Sequence, residues 1–360
     1  MLSPLILAGA GHAHLVVLRN WLSQGYRPPA GTLLLSPTAQ AWYSGMMPGL
    51  LAGRFTGADC AIELAPLCEA CGVTLRLGEI SELEASDNRL VLADGSELSY
   101  ELLSLNTGAQ PPRPAEDDGS IPLLPAKPFQ PFYQQWLKWR SGSSPASLAV
   151  LGGGAAAFEL ALALHASLPA TGIQLLCRDT LLAGHPPGLI TRARRLLSQR
   201  GVGLSEYREV TRIHSGQLFA GMQPLGQYTA LVLATGASAH GWQARSGLLC
   251  DAAGFIRINT CLQSLSHAQV LATGDCAILP DTPHSGVYAV RQGAVLAENL
   301  RALMTNQTPR PYKPQPHALA LLATADGGAL LSYRGISGGG RLLGRWKDHL
   351  DIGFMRRHRV

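Results

Sequence analysis

The sequence predicts an α/β fold: two parallel-sheet units, each opened by a strand, a glycine turn and a helix, followed by a C-terminal region. Three observations predict it. An apolar run from Pro4 to Ala8 meets the turn Gly9-Ala10-Gly11. The same order recurs from Ser147 to Gly154, with the two turns 143 residues apart from Gly9 to Gly152. Two late apolar runs, Leu231 to Ala234 and Val270 to Ala272, end in Thr235-Gly236 and Thr273-Gly274-Asp275.

Composition agrees with a large folded chain. At 360 residues the length exceeds one ordinary domain, and charged residues make up 15% against a usual value of about 25%. Gly (40) and Pro (24) stay below the level that signals disorder. The net charge is +5, but six cations after residue 340 (Arg341, Arg345, Lys347, Arg356, Arg357, Arg359) against Asp348 and Asp351 carry +4 of it. The body is therefore nearly neutral, and with no finger-type Cys/His spacing or aromatic RNA-binding signature, no nucleic-acid partner is expected. Seven cysteines, an odd number, argue against a secreted disulfide framework and for a reducing, cytoplasmic compartment. Leu5-Ile6-Leu7-Ala8 runs straight into a glycine turn without a basic segment before it, so it reads as a strand and not as a signal peptide. No run of 18 apolar residues exists, which excludes a spanning helix and leaves surface attachment open.

Each element follows in order. Pro4 to Ala8 is a buried strand, Ala13 to Ser23 a helix and Thr32 to Leu35 the next strand. Gly9-Ala10-Gly11-His12-Ala13-His14 opens that helix, the context in which backbone amides approach a pyrophosphate at the positive helix end. His14 stands where a third glycine would permit close packing, and Ser36 stands where an acidic residue would hold an adenosine ribose. Taken alone, the segment also fits a strand–turn–helix without a ligand. Seven prolines between residues 111 and 131 suit an inter-domain crossing and not a sheet interior. Ser147 to Leu151, Ala155 to Leu168 and Ile173 to Cys177 form the second unit around Gly152-Gly153-Gly154-Ala155, where Ala157 keeps the close packing. Its ribose position falls at Cys177-Arg178, and Arg178 reads either as the partner of a 2′-phosphate, which favours NADPH, or as a solvated loop charge. Glu159 lies in the first turns of the following helix, where the dipole favours a carboxylate whatever its role, and a cofactor-facing position is expected.

These segments resemble the two-dinucleotide-binding-domain flavoproteins of the pyridine nucleotide-disulfide oxidoreductase superfamily, in particular the type II NADH dehydrogenase-like group. The ordered set is Gly9 to His14, Asn106-Thr107-Gly108, Gly152 to Glu159, Ala234-Thr235-Gly236 and Gly274-Asp275, and it covers nearly the whole chain. The Gly-His-Ala-His and Tyr-Ser-Gly-Met segments are closest to a flavoprotein module found fused to selenide, water dikinase, although no dikinase portion is present. The resemblance implies two Rossmann-like domains, the NAD(P)H domain (113–237) inserted in an FAD domain (1–112 and 238–310), with a C-terminal region from 311 to 360. It implies that Gly9, Ala10, Gly11, His12, Ala13, His14, Thr107, Gly108 and Gly274 bind FAD, that Asp275 meets its ribityl or pyrophosphate part, and that Tyr43 to Gly49, with Ser44 and Gly45, pass near the isoalloxazine. Gly152, Gly154, Ala155, Thr235 and Gly236 then belong to NADH or NADPH, and the helix start Gly286 to Gly293 lines the acceptor side, with Tyr288 and Gln292 as candidates beside Glu159 for the catalytic work. The implied activity is transfer of electrons from NAD(P)H through flavin to a quinone-like acceptor.

Cysteine chemistry separates the alternatives. Disulfide reductases need a redox pair beside the flavin, and Trp42 to Met47 holds no cysteine. Cys276 follows the Gly-Asp turn too closely to match a sulfide- or selenide-type quinone oxidoreductase, which stays an alternative, as does a non-catalytic flavin-bound scaffold or redox sensor. Cys68 and Cys71 read as buried thiols because no second pair at zinc spacing accompanies them, and His12 and His14 point different ways on a helix, so no metal is expected. Leu342, Leu343, Trp346, Leu350, Phe354 and Met355 recur at helical steps among the terminal cations. That pattern fits either an interfacial helix, peripheral on the inner face of a membrane, or a helix packed on the body.

Overall fold

The computed structural model describes residues 2–360. β1 (Leu2–Ala8) passes through the glycine turn into α1 (His12–Ser23), and β2 (Leu33–Ser36) and β3 (Thr74–Leu77) follow. β4 (Ile80–Glu84), β5 (Arg89–Leu92) and β6 (Glu97–Leu105) complete the order β3-β2-β1-β6-β5-β4. The central pairings β3-β2-β1-β6 are parallel and β5 and β4 are antiparallel. Leu5, Ile6 and Leu7 are wholly buried, as expected of a central strand covered on both faces.

The proline-rich stretch is not only a crossing. Residues Leu123–Pro125 form a strand, β7, at the edge of the second sheet, where Pro125 withholds a donor at little penalty. β8 (Ser147–Leu151), α2 (Ala155–Ser167), β9 (Gly172–Leu176), α3 (Pro187–Gln199), β10 (Gly203–Ser205) and β11 (Ala230–Leu233) follow. The order is β7-β11-β8-β9-β10 and every pairing is parallel. The chain then returns: β12 (Val270–Ala272) pairs with β6 of the first sheet.

α4 (Gly286–Met304) lies against α1, and Gly293 makes this possible, because a Cβ there would stand 2.7 Å from both the Ala13 carbonyl oxygen and the Val16 Cβ. The close helix packing given up by His14 in the first turn is thus supplied from the other helix. A three-stranded antiparallel sheet, β13 (Ala320–Ala323), β14 (Ala329–Tyr333) and β15 (Ile336–Gly340), carries the terminal helix α5 (Arg341–His358). Among the described residues no helix is long and apolar enough to cross a membrane.

Candidate functional site

The first glycine turn sits at the C-terminal ends of β1, β6 and β12, and Asn106 organises it. Its Oδ1 accepts the Ala13 and His14 amides at 3.1 and 3.5 Å, while its Nδ2 donates to the Thr273 carbonyl at 2.8 Å. A Cβ on Gly11 would fall 2.2 Å from Asn106 Oδ1, and Gly9, at φ +94°, would place one 2.4 Å from the Asn106 carbonyl oxygen. Asn106 alone is thus enough to require glycine at position 11. Ala10 is half-buried between the two glycines.

His14 occupies the third position by bonding at both nitrogens, Nδ1 to the Gly9 carbonyl at 2.5 Å and Nε2 to Ser104 Oγ at 2.8 Å. Burial lowers its pKa to about 4, so a neutral ring donates from Nδ1 and accepts the Ser104 hydroxyl at Nε2. His12 is held neutral in the same way, its pKa lowered to about 4 by burial and by Lys127. Ser36 is turned inward: its hydroxyl donates to the Thr38 carbonyl at 2.8 Å and closes its own turn.

Gly274, at φ +68°, and Asp275 follow β12 at the same edge. The Gly274 amide donates to Gln292 Oε1 at 2.7 Å, and Asp275 Oδ2 pairs with Lys127 Nζ at 2.8 Å. Asp275 Oδ1 and Thr107 Oγ1 are buried without a hydrogen-bond partner among the described residues, and Gly108 faces open space. Buried polar groups are ordinarily satisfied, so a carboxylate oxygen and a hydroxyl left without partners fit the hydroxyls of a dinucleotide such as FAD.

In the second unit Gly152, at φ +139°, would bring a Cβ within 2.2 Å of the Ala234 carbonyl oxygen, whereas Gly154 has nothing within 4 Å. The backbone at Gly154, with Ala155 starting α2, is open to a phosphate. Gly236 is likewise open, and Thr235 Oγ1 donates to the Pro112 carbonyl at 2.7 Å. Arg178 lies on the exposed loop after β9, with its Nε 3.0 Å from Asp179 Oδ2. Glu159 is half-buried and its Oε1 accepts the Ala323 amide at 2.6 Å. Burial pushes its carboxyl up to about 7, against the opposing pull of Lys347.

The group that the sequence reading did not single out comes from α5. Lys347 Nζ donates to the Gly45 carbonyl and to Asp351 Oδ2, both at 2.9 Å, and the Tyr43 hydroxyl donates to Asp351 Oδ1 at 3.1 Å. Phe354 stacks on Tyr43 at 4.5 Å, and His12 meets the Tyr43 ring edge-on at 5.3 Å. Desolvation opposes the charge on Lys347, but Glu159, Asp351 and Asp348 outweigh it and raise its pKa, so it stays cationic. Ser44 and Gly45 form the short helical turn beneath this cluster, and a Cβ on Gly45 would strike the Tyr43 ring at 2.9 Å. The first glycine turn is thus gathered on Asn106, Asp275 is paired with Lys127, the Ser44–Gly45 turn is held by Lys347, and Glu159 feels the charges of Lys347 and Asp351. Gln292 Oε1 accepts the Gly274 amide, and the Tyr288 hydroxyl donates at 3.3 Å to the Gln315 carbonyl. The i, i+4 spacing of Lys347 and Asp351 was the available signal.

All seven cysteines are free, and no group of three or more metal-ligating side chains exists among the described residues.

A family profile described as Pyridine nucleotide-disulphide oxidoreductase matches residues 16–293. Ferroptosis suppressor protein 1 of Taeniopygia guttata is 25% identical over 256 residues, 68% of this chain and 67% of that protein. The sulfide:quinone oxidoreductase of the hyperthermophilic bacterium Aquifex aeolicus superposes with a TM-score of 0.80 at 15% identity, over 99% of this chain and 91% of that one. The water-forming NADH oxidase of Lactobacillus brevis, bound to NADH, gives 0.74 at 15% identity over 92% and 75%. The matched profile covers more than half of the chain and takes in the Gly-Asp turn, the second glycine turn and Glu159. The protein is an FAD-dependent oxidoreductase that uses NAD(P)H, and the chain belongs to the pyridine nucleotide-disulphide oxidoreductase family.

Proposed function

We propose that the protein oxidises NADH or NADPH and delivers the two electrons to a quinone-like acceptor. The observation that carries this reading is the cluster that α5 lays on Gly45: Lys347 and Tyr43 bear protons and Asp351 accepts from both, with Glu159 nearby, where a disulfide exchanger would need cysteines. A quinone takes up two protons with its two electrons, so an acceptor site without thiols but with proton-bearing side chains suits it. Bound FAD supplies the two-electron carrier between nicotinamide and acceptor. Asp275 and Thr107 would hold its hydroxyls, and Lys127 keeps the Asp275 carboxylate compensated. Glu159, its carboxyl pushed up to about 7 by burial, can hold or release a proton without a large penalty. Lys347 fixes the Gly45 carbonyl and keeps a positive charge beside it.

A sulfide- or selenide-directed reading would rely on Cys276, which follows the Gly-Asp turn, yet its buried thiol is raised above its ordinary value by desolvation. The acceptor class also stands in the name of the Aquifex aeolicus structure. Sheet membership supports domain limits at 1–112 and 238–310 for FAD, 113–237 for NAD(P)H and 311–360 for the C-terminal region. The reading extends to a cytoplasmic protein in peripheral contact with the inner face of a membrane, through the exposed row Leu342, Trp346 and Leu350 of α5.

Steady-state oxidation of NADH and NADPH tests the acceptor. A water-soluble quinone should sustain turnover well above that seen with oxygen or oxidised glutathione, and Lys347→Met should slow the quinone step more than flavin reduction. Equal rates with all three acceptors would contradict the proposal.

A further inference from the structure

A second cavity, of about 270 Å³, opens between α3 of the NAD(P)H unit, the β14–β15 hairpin and the start of α5. Arg192 and Arg195 reach it from α3, and Arg341 from the first position of α5. None of the three guanidiniums forms a salt bridge among the described residues. The carboxylate in the lining, Asp326, is already satisfied: Oδ2 pairs with Arg200 at 2.6 Å, and Oδ1 takes the Thr324 hydroxyl at 2.6 Å and the Gly328 amide at 3.1 Å. Three exposed like charges line one recess, an arrangement that favours an anion there. Arginine forks match phosphate oxygens in particular.

The surface beside the cavity distinguishes what carries that phosphate. Leu342, 78% exposed, follows Arg341 directly, and Trp346 and Leu350 continue the row at four-residue steps. Arg345 borders the row, and the opposite face of α5 is buried through Gly344, Asp351, Phe354 and Met355, so the helix lies on the body with its apolar row outward. A soluble phosphate would use the cavity and leave this row unexplained. A phospholipid uses both.

We propose that the Arg192–Arg195–Arg341 cavity binds the phosphate of an anionic phospholipid headgroup while Leu342, Trp346 and Leu350 enter the acyl boundary. The inference rests on the peripheral membrane contact proposed above and adds a discrete headgroup site to it.

Flotation of the flavin-loaded protein with vesicles of phosphatidylcholine alone, and of phosphatidylcholine mixed with phosphatidylglycerol, tests it. Wild type should float with the mixed vesicles. R192Q/R195Q/R341Q should lose about fivefold in partition per arginine, while keeping its flavin. R345Q/R356Q/R357Q removes the same charge outside the cavity and should lose clearly less. Equal losses in the two triple variants would mean a diffuse basic field and overturn the site, leaving the membrane contact standing. Failure of wild type to float with either vesicle would instead overturn the membrane contact itself. Saturable quenching of tryptophan fluorescence by inorganic phosphate, abolished in the cavity variant while its flotation is unchanged, would assign the cavity to a free anion and overturn the lipid.

Discussion

Gly11 is held to glycine by Asn106, and this contact is open to a double-mutant cycle. Gly11→Ala forces a Cβ into Asn106 Oδ1 and should destabilise by about 1–3 kcal/mol, and Asn106→Ala leaves the Ala13 amide unsatisfied and the Thr273 carbonyl with the Cys276 thiol alone, at a similar penalty. Because both act on one contact, the double variant should lose less than the two together, as read by urea unfolding; strict additivity would contradict the account. Glu159 gives a pH prediction. Its folded pKa of about 7 lies above the ordinary 4.5, so its contribution to stability is fully present below about pH 4.5 and is lost as pH rises through about 7. Wild type should therefore lose thermal stability relative to Glu159→Gln across that window, and a pH-independent difference in Tm would show that the carboxyl is not desolvated. At this scale the turn glycines and the Gly-Asp pair were legible, since φ above zero and open backbone leave a mark on residue type. The role of Asn106 was only implicit in an Asn-Thr-Gly string, because its partners lie more than 90 residues away on one side and more than 160 on the other. The inward bond of Gln292 to Gly274 was equally invisible from spacing.

Strand and helix boundaries fall within a residue or two of those expected, because β1, β8 and β11 are continuous apolar runs closed by glycine turns. Two elements departed. β7 places Pro122 and Pro125 beside and within an edge strand, a position where a missing donor is tolerated and composition alone does not reveal the pairing. The terminal helix divides the apolar residues of its pattern between two faces. Phe354 and Met355 are buried core, whereas Leu342, Trp346 and Leu350 are outward, so the helix is both packed and exposed. Removing everything after Gly340 should therefore cost folded, flavin-bound protein by exposing the surface under Phe354 and stripping Lys347 from Gly45. L342S/W346S/L350S should keep its flavin and its Tm within a few degrees while losing vesicle flotation. A truncated chain that retains wild-type stability would contradict the packing of α5. Glycine-mediated contact was not anticipated here: a Cβ on Gly344 would stand 2.1 Å from the Gly327 carbonyl oxygen, and Gly293 plays the same part between α4 and α1.

On the scale of the whole molecule, a mixed sheet and a parallel sheet present their glycine turns from separate segments of the chain, and α5 reaches back to close the side of the first over Tyr43 and Gly45. The division of labour follows from the backbone: the first turn is crowded by Asn106, Asp275 Oδ1 and Thr107 Oγ1 are left without partners, and the second turn is open at Gly154. FAD should accordingly depend on the first, and the nicotinamide donor on the second. Electron transfer from nicotinamide to flavin rests on the coupling between the two turns. Stopped-flow bleaching of the flavin by NADH and NADPH, in wild type and in Gly154→Val, tests that coupling most directly. Fast bleaching in wild type, abolished in Gly154→Val with FAD content and dithionite reduction intact, is the predicted result; absent bleaching in wild type, or equal bleaching in both, would contradict it.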